Sequence, residues 1–190
     1  MTTLVLGLFL FLGIHSVSIV AGGFRDRLVA RSAHGWKAFY TVVAIAGFYF
    51  IATGYAAARM EPVVLYMPPL WLRHVAALLL LPVFILFFAP YLPGRIKTAT
   101  RHPQLIAVKL WALAHLLVNG MLADVVLFGS ILAWAVADRI SMKRRSARPV
   151  PGAPPAVVND ALLIVIGIGA YVLMVTWLHK AWIGVAPFGI

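Results

Sequence analysis

Six apolar stretches, separated by polar, glycine-containing or proline-containing segments, dominate the pattern of the chain. A bilayer core about 30 Å thick requires about 20 apolar residues of α-helix. On that rule the pattern predicts six membrane-spanning helices, at 3–22, 37–58, 70–89, 103–119, 120–137 and 157–178. The predicted fold is therefore all-α: a polytopic transmembrane helical bundle that forms a single integral membrane domain over residues 1–190.

Two segments between these helices have a distinct composition. Asn119-Gly120 separates the fourth and fifth spans, and an Asn-Gly pair is a turn signal, so it predicts a tight helical hairpin. One long, kinked helix is the alternative. The stretch 139–156 is basic and then proline-rich, which predicts a mobile linker.

The composition agrees with a membrane protein. Hydrophobic residues make up 63% of the chain and charged residues 11%, which is too apolar for an ordinary soluble domain. The chain has no cysteine, which excludes disulfides, thiolate ligands and cysteine nucleophiles. Basic residues follow the first apolar segment instead of preceding it, as expected for a retained helix rather than a cleaved signal peptide.

The basic residues predict the orientation in the membrane. Twelve of the 16 lie in loops on one predicted side: Arg25, Arg27, Arg31, Lys37, Arg95, Lys97, Arg101, Arg139, Lys143, Arg144, Arg145 and Arg148. Such loops are cytoplasmic in membrane proteins, so both termini are predicted to face outward. The predicted partner of this positive charge is the lipid bilayer, and no loop is long enough to form a nucleic-acid-binding surface.

His15 lies within the first span, on a helix face that it shares with Gly7, Phe11, Ser18 and Gly22. Small residues allow close helix packing, so this face is predicted to point into the bundle. A histidine there is either hydrogen-bonded to a neighbouring helix or is a ligand of a metal or cofactor.

His115 lies within the fourth span and is the second intramembrane histidine. In a hairpin that turns at Asn119-Gly120, Asp124 would lie at the same depth as His115. A carboxylate beside an imidazole fixes the tautomer and raises the basicity of a metal-bound histidine. A buried His–Asp pair that only aligns the two helices explains the spacing equally well.

Four further residues are candidates near the ends of spans. Lys109 is predicted either to extend toward the lipid headgroups or to neutralise a carboxylate of a bound ligand. Arg101 and His102 are predicted either to anchor the chain at the membrane interface or to bind an anionic group. His74 starts the third span and is the reserve metal ligand. His34 and His179 fall in or next to loops and are weaker candidates.

Other chemistries are excluded by the residues available. Five acidic residues, most of them at span ends, do not supply a hydrolytic carboxylate pair or a hard-metal cage. The histidines lack the short spacing of zinc sites. Two intramembrane histidines on different helices, in an apolar chain without thiolates, are the arrangement of a bis-histidine haem site, with His15 and His115 as ligands.

The block TATRHPQLIAVKLWALAHLLVNGMLADVVLFGSILAWAVADRISMKRR, together with the early GIHS, resembles the NnrU family. These are bacterial membrane proteins associated with denitrification. The chain also resembles the related zeta-carotene isomerases, in RHPQ followed by WALAH. RHP alone also resembles isoprenylcysteine-type methyltransferases, but the cytoplasmic nucleotide-like pocket of such an enzyme would need acidic and glycine-rich residues that are lacking.

The resemblance implies haem b, held by His15 and His115, in a multi-pass protein of the bacterial inner membrane. The basic loops predict that both termini lie in the periplasm. Plant isomerases carry a cysteine three residues before the second ligand, where this chain has Ala112. Two functions follow. One is a haem-dependent isomerase or redox enzyme that acts on a lipophilic small molecule or on nitric oxide. The other is a non-catalytic factor that senses haem or nitric oxide, or assembles a denitrification enzyme.

Overall fold

The computed structural model describes residues 1–145, 148 and 150–187. Its regular structure is helical throughout the described chain, apart from one isolated antiparallel bridge between Val64 and Met121. The elements in chain order are α1 (Thr2–Val20), α2 (Gly22–Arg31), α3 (Ala33–Ala58), α4 (Leu72–Leu80), α5 (Val83–Phe88), α6 (Arg95–Thr100), α7 (Pro103–Val118), α8 (Leu122–Ser141), α9 (Val158–Leu173), a π-helical segment (Met174–Leu178) and α10 (His179–Ile183).

Each of the six predicted spans corresponds to helix, but the count of six membrane spans is not confirmed. Three helices of the described chain are long and apolar enough to cross a membrane: Thr2–Val20, Ala33–Ala58 and Val158–Ile183. The third predicted span is interrupted at Leu81 and Pro82, where proline cannot donate the helical hydrogen bond. That segment, Leu72–Phe88, and α7 are shorter apolar helices.

The chain divides into two compact units. The first unit comprises Met1–Met67 and Gly120–Arg144, and the second comprises Pro68–Asn119 and Arg145–Ile190. The predicted helix break at Asn119-Gly120 is found: α7 ends at Val118 and α8 begins at Leu122, with Asn119 in an extended conformation between them.

In the first unit, α1 packs closely on α3 through glycines. A Cβ placed on Gly7 would collide with the backbone of Phe50 and Ile51, and one on Gly54 with the backbone of Leu4. Backbones approach this closely only where side chains are absent, which is how small residues join membrane helices. Gly7 therefore lies in the contact between α1 and α3, as predicted for its helix face.

The start of α8 is held against the loop that follows α3. The N–H of Leu65 donates to the Gly120 carbonyl and the N–H of Leu122 to the Val63 carbonyl, both at 2.8 Å. Because the Tyr66 carbonyl lies where a Cβ of residue 120 would be, glycine is required at that position.

In the second unit, α7 packs against α4 and α5, and α5 packs against α9. Asp160 at the start of α9 accepts hydrogen bonds from the N–H groups of Arg95 and Ile96 and so caps α6. Asn159 beside it donates to the Pro93 carbonyl at 2.8 Å. These bonds between distant segments tie the ends of the apolar helices together.

The stretch predicted as a mobile linker is more ordered than expected where the structure describes it. Residues 139–141 continue α8. The N–H of Ala153 donates to the Tyr91 carbonyl at 2.9 Å, and that of Ala156 to the Pro93 carbonyl at 3.2 Å. Residues 146, 147 and 149 of this stretch lie outside the described chain.

Candidate functional site: a histidine-lined cavity

His115 lies in the last turn of α7 and is half-buried. Its Nδ1 is 2.8 Å from the Trp111 carbonyl oxygen. A carbonyl oxygen only accepts, so Nδ1 must carry the proton. In the neutral ring the lone pair is then on Nε2, the form in which histidine binds a metal.

His179 repeats this arrangement at the end of the chain. It follows the π-helical segment, and its own N–H donates to the Met174 carbonyl five residues back. Gly184, with φ of 78°, then reverses the chain. The returning Val185 carbonyl lies 2.7 Å from Nδ1 of His179, so the lone pair of this ring is also on Nε2.

The two imidazoles lie beside one cavity of the second unit. Their centroids are 6.5 Å apart and their planes are inclined by 21°. The cavity volume is about 480 Å³, within the range of about 300–1,000 Å³ of small-molecule and cofactor sites. Most of its wall is aliphatic or aromatic, and its polar side chains are Arg73, His115, Asn119, Tyr171 and His179.

The uncharged polar residues of the cavity are themselves hydrogen-bonded to backbone. The Asn119 amide donates to the His115 carbonyl at 3.0 Å, and the Tyr171 hydroxyl to the Ala77 carbonyl at 3.2 Å. Arg73 adds a positive charge beside this apolar space. The cavity therefore combines a mostly apolar wall with one cationic side chain and two imidazoles.

His15 lies in the first unit, in an aromatic cluster. Its ring is 4.3 Å from that of Phe11, 5.1 Å from that of Tyr40 and 5.8 Å from that of Trp134. Its Nδ1 is 2.6 Å from the Phe11 carbonyl oxygen. Within the described chain, the Trp134 indole N–H is buried and has no hydrogen-bond partner. His15 thus faces the packed helices of its unit, as predicted.

Asp124, at the start of α8, is 3% exposed and is bound within the first unit. One carboxylate oxygen accepts from the Tyr55 hydroxyl at 2.5 Å, and the other from the Met121 N–H at 2.9 Å. The second bond caps α8, where a negative charge is favoured. Burial, with a smaller contribution from Asp124, raises the pKa of Tyr66. The pairing of Asp124 with His115 stays a prediction.

The other predicted site residues belong to the second unit but are not among the described residues that line its cavity. Arg101 is exposed, has a positive φ of 58° and ends α6. His102 is the N-cap of α7, and Lys109 is half-buried on the same helix. His74 is exposed in the first turn of α4.

The sequence analysis missed Arg73, Tyr171 and His179 as neighbours of His115. His179 was set aside because the predicted sixth span ended at residue 178, whereas the helix continues to Ile183. The one signal in the sequence was Gly184, a common residue after a helix end, which places His179 within the last helical turns.

The donors available restrict the metal that this site can hold. Among the described residues, no group of three or more His, Cys, Asp or Glu side chains is placed to bind a metal ion. A zinc ion held only by protein needs three or four such ligands. Two imidazoles are sufficient for a metal whose four equatorial ligands come from a macrocycle, as in haem.

The described chain is all-helical apart from one bridge and has three helices apolar enough to cross a membrane, as in a membrane protein. Its second unit contains a cavity of the size of a cofactor site. A family model described as NnrU protein matches residues 3–187. The chain therefore belongs to the NnrU family, as its GIHS and RHPQ motifs predicted. No curated protein and no solved structure matches it.

Proposed function

We propose that this NnrU-family protein is a haem b-binding membrane protein and that the cavity of the second unit would hold the haem, with His115 as a ligand of its iron. The observation that carries the proposal is the position of His115. Its Nδ1 is bound to the Trp111 carbonyl, so its Nε2 is the basic nitrogen, and the residue lines an apolar cavity of about 480 Å³. A backbone carbonyl on the other ring nitrogen is typical of metal-bound histidine.

The remaining cavity residues support a porphyrin. Trp111, Phe84 and Phe87 provide apolar wall for the macrocycle. Arg73 provides a cation for a propionate, to which its guanidinium would bind as to any carboxylate. Haem supplies one-electron chemistry and binding of small ligands such as nitric oxide.

The function proposed with this cofactor is haem-dependent isomerisation or redox chemistry linked to nitrogen-oxide metabolism. The alternative is a non-catalytic factor that senses haem or nitric oxide or assists assembly of a denitrification enzyme. Carbon monoxide tests whether the iron has an open coordination position, which both catalysis at iron and nitric oxide sensing require. Rapid binding of carbon monoxide to the reduced protein supports one of these two roles, and absence of binding supports a non-catalytic assembly role.

The proposed location is the bacterial inner membrane, with six crossings and both termini in the periplasm. The three long apolar helices support a bilayer environment. The segments Leu72–Phe88 and Pro103–Val118 and the 20-residue α8 would supply the remaining crossings. The side of the membrane follows from the basic loops.

His115→Ala tests the cofactor. The full-length protein, purified in detergent from cells supplied with a haem precursor, should show a haem b spectrum that this variant loses. His34→Ala is the matched control, since His34 is exposed near the start of α3 and belongs to the first unit. Full haem occupancy with an unchanged spectrum in His115→Ala would refute the proposal.

A further inference from the structure

We propose that His179, and not His15, is the ligand opposite His115, so that one cavity of the second unit supplies both axial positions of the haem. This inference rests on the proposed function and deepens it. His15 is the second ligand implied by the family resemblance, whereas His179 is identified by the geometry of the cavity alone.

The spacing of the two rings fits a shared metal. Metal–imidazole bonds are about 2.0–2.1 Å. Adding the distance of about 1 Å from Nε2 to the ring centre, opposite imidazoles on one ion have centroids about 6 Å apart. The observed separation is 6.5 Å, with the ring planes inclined by 21°. The same separation also lies within the range of about 4.5–7 Å of stacked aromatic pairs, so the cavity that the two rings share, rather than the spacing alone, carries the inference.

The two rings are also prepared for ligation in the same way. Nδ1 of His115 lies 2.8 Å from the Trp111 carbonyl, and Nδ1 of His179 lies 2.7 Å from the Val185 carbonyl. Each carbonyl holds the proton on Nδ1 and leaves the lone pair on Nε2. For His179 this requires the chain to turn back at Gly184, whose left-handed φ of 78° is favourable only for glycine.

The local backbone around His179 is unusual for a helix that only crosses a membrane. The π-helical segment Met174–Leu178 immediately precedes it, and such segments are frequent at functional sites. Met174 and Val175 of that segment line the cavity, as do Val185, Ala186 and Pro187 after the turn. The segment 174–187 thus contributes to the wall of the site and includes His179.

Two histidine ligands have a functional consequence. If both histidines held the haem iron, carbon monoxide would have to displace one of them in order to bind. Such a pair would favour electron transfer or sensing over chemistry at the iron. His179 would then be the residue whose replacement opens the iron to a small ligand.

The experiment compares His179→Ala, His15→Ala and His115→Ala in the full-length protein, purified with its haem b. His179→Ala should retain haem through His115 but change from a low-spin to a high-spin spectrum and bind carbon monoxide readily. Added imidazole should restore the low-spin spectrum of this variant, a response that a merely misfolded protein would not give. His15→Ala should keep the wild-type spectrum.

His179→Met provides a second, conservative variant. It should remain six-coordinate with a changed spectrum and a raised reduction potential, because methionine ligation raises the potential of haem iron. A low-spin, wild-type spectrum in both His179 variants would overturn the inference and leave haem binding through His115 intact. Conversion of His15→Ala to high spin would overturn it in favour of His15. Refutation of the proposed function would be a different result, namely full haem occupancy in His115→Ala.

Discussion

At the scale of the residue, three histidines share one hydrogen-bonding arrangement and differ in what surrounds them. His15, His115 and His179 each have Nδ1 between 2.6 and 2.8 Å from a backbone carbonyl oxygen. The tautomer therefore does not separate a ligand from a structural histidine here. His15 is enclosed by aromatic rings, whereas His115 and His179 border a cavity. A position on the wall of a cofactor-sized cavity, rather than the tautomer, is what distinguishes His115 and His179 from His15.

Asp124→Ala should lower the free energy of unfolding by about 2 kcal/mol, because it leaves the hydroxyl of the half-buried Tyr55 and the first turn of α8 without their acceptor. Thermal unfolding in detergent, followed by circular dichroism, measures the change. Asp26→Ala is the control: its ion pair with Arg25 is exposed, so the midpoint should stay within error. Equal midpoints for both variants would show that Asp124 does not hold α3 and α8 together.

At the scale of the element, the helices of each unit are joined by close backbone packing and by polar contacts between distant segments. Gly7 and Gly54 bring α1 and α3 together, and Asp160 with Asn159 fixes the start of α9 to residues 93–96. Lipid is as apolar as the helix surfaces, so packing and hydrogen bonds, rather than the hydrophobic effect, must hold these helices together. Outward-facing side chains such as Phe9 (75% exposed) and Val165 (70%) are left for lipid.

Gly7→Ala and Gly13→Ala form a matched pair on α1. A Cβ at Gly7 meets the α3 backbone, whereas one at Gly13 has open space within 4 Å. Gly7→Ala should therefore destabilise the protein by about 1–3 kcal/mol through overpacking. Gly13→Ala should be neutral or stabilise it by up to about 1 kcal/mol through helix propensity. The same detergent unfolding assay distinguishes them, and a neutral Gly7→Ala would contradict the close α1–α3 contact.

At the scale of the whole molecule, orientation in the membrane follows from charge. A reporter fused after Arg144 should indicate a cytoplasmic location, because five basic residues lie between 139 and 148. Fusions in the segment 60–70, which has a single acidic residue and no Lys or Arg after Arg59, should report the periplasm. Periplasmic activity after Arg144 would reverse the proposed topology.

Helical class, helix positions and family were determined by the amino-acid sequence, because apolar runs, prolines, glycines and the RHPQ and WALAH motifs are local signals. The break at Asn119-Gly120 was also local, since it depends on the turn preference of two residues. The neighbours of His115 were decided only by the tertiary structure. A π-helical turn holds an extra residue, so face assignments by helical period are shifted by about 100° beyond it. His179 and Arg73 reach the cavity from segments 64 and 42 residues away from His115, and such a meeting depends on packing rather than on sequence spacing.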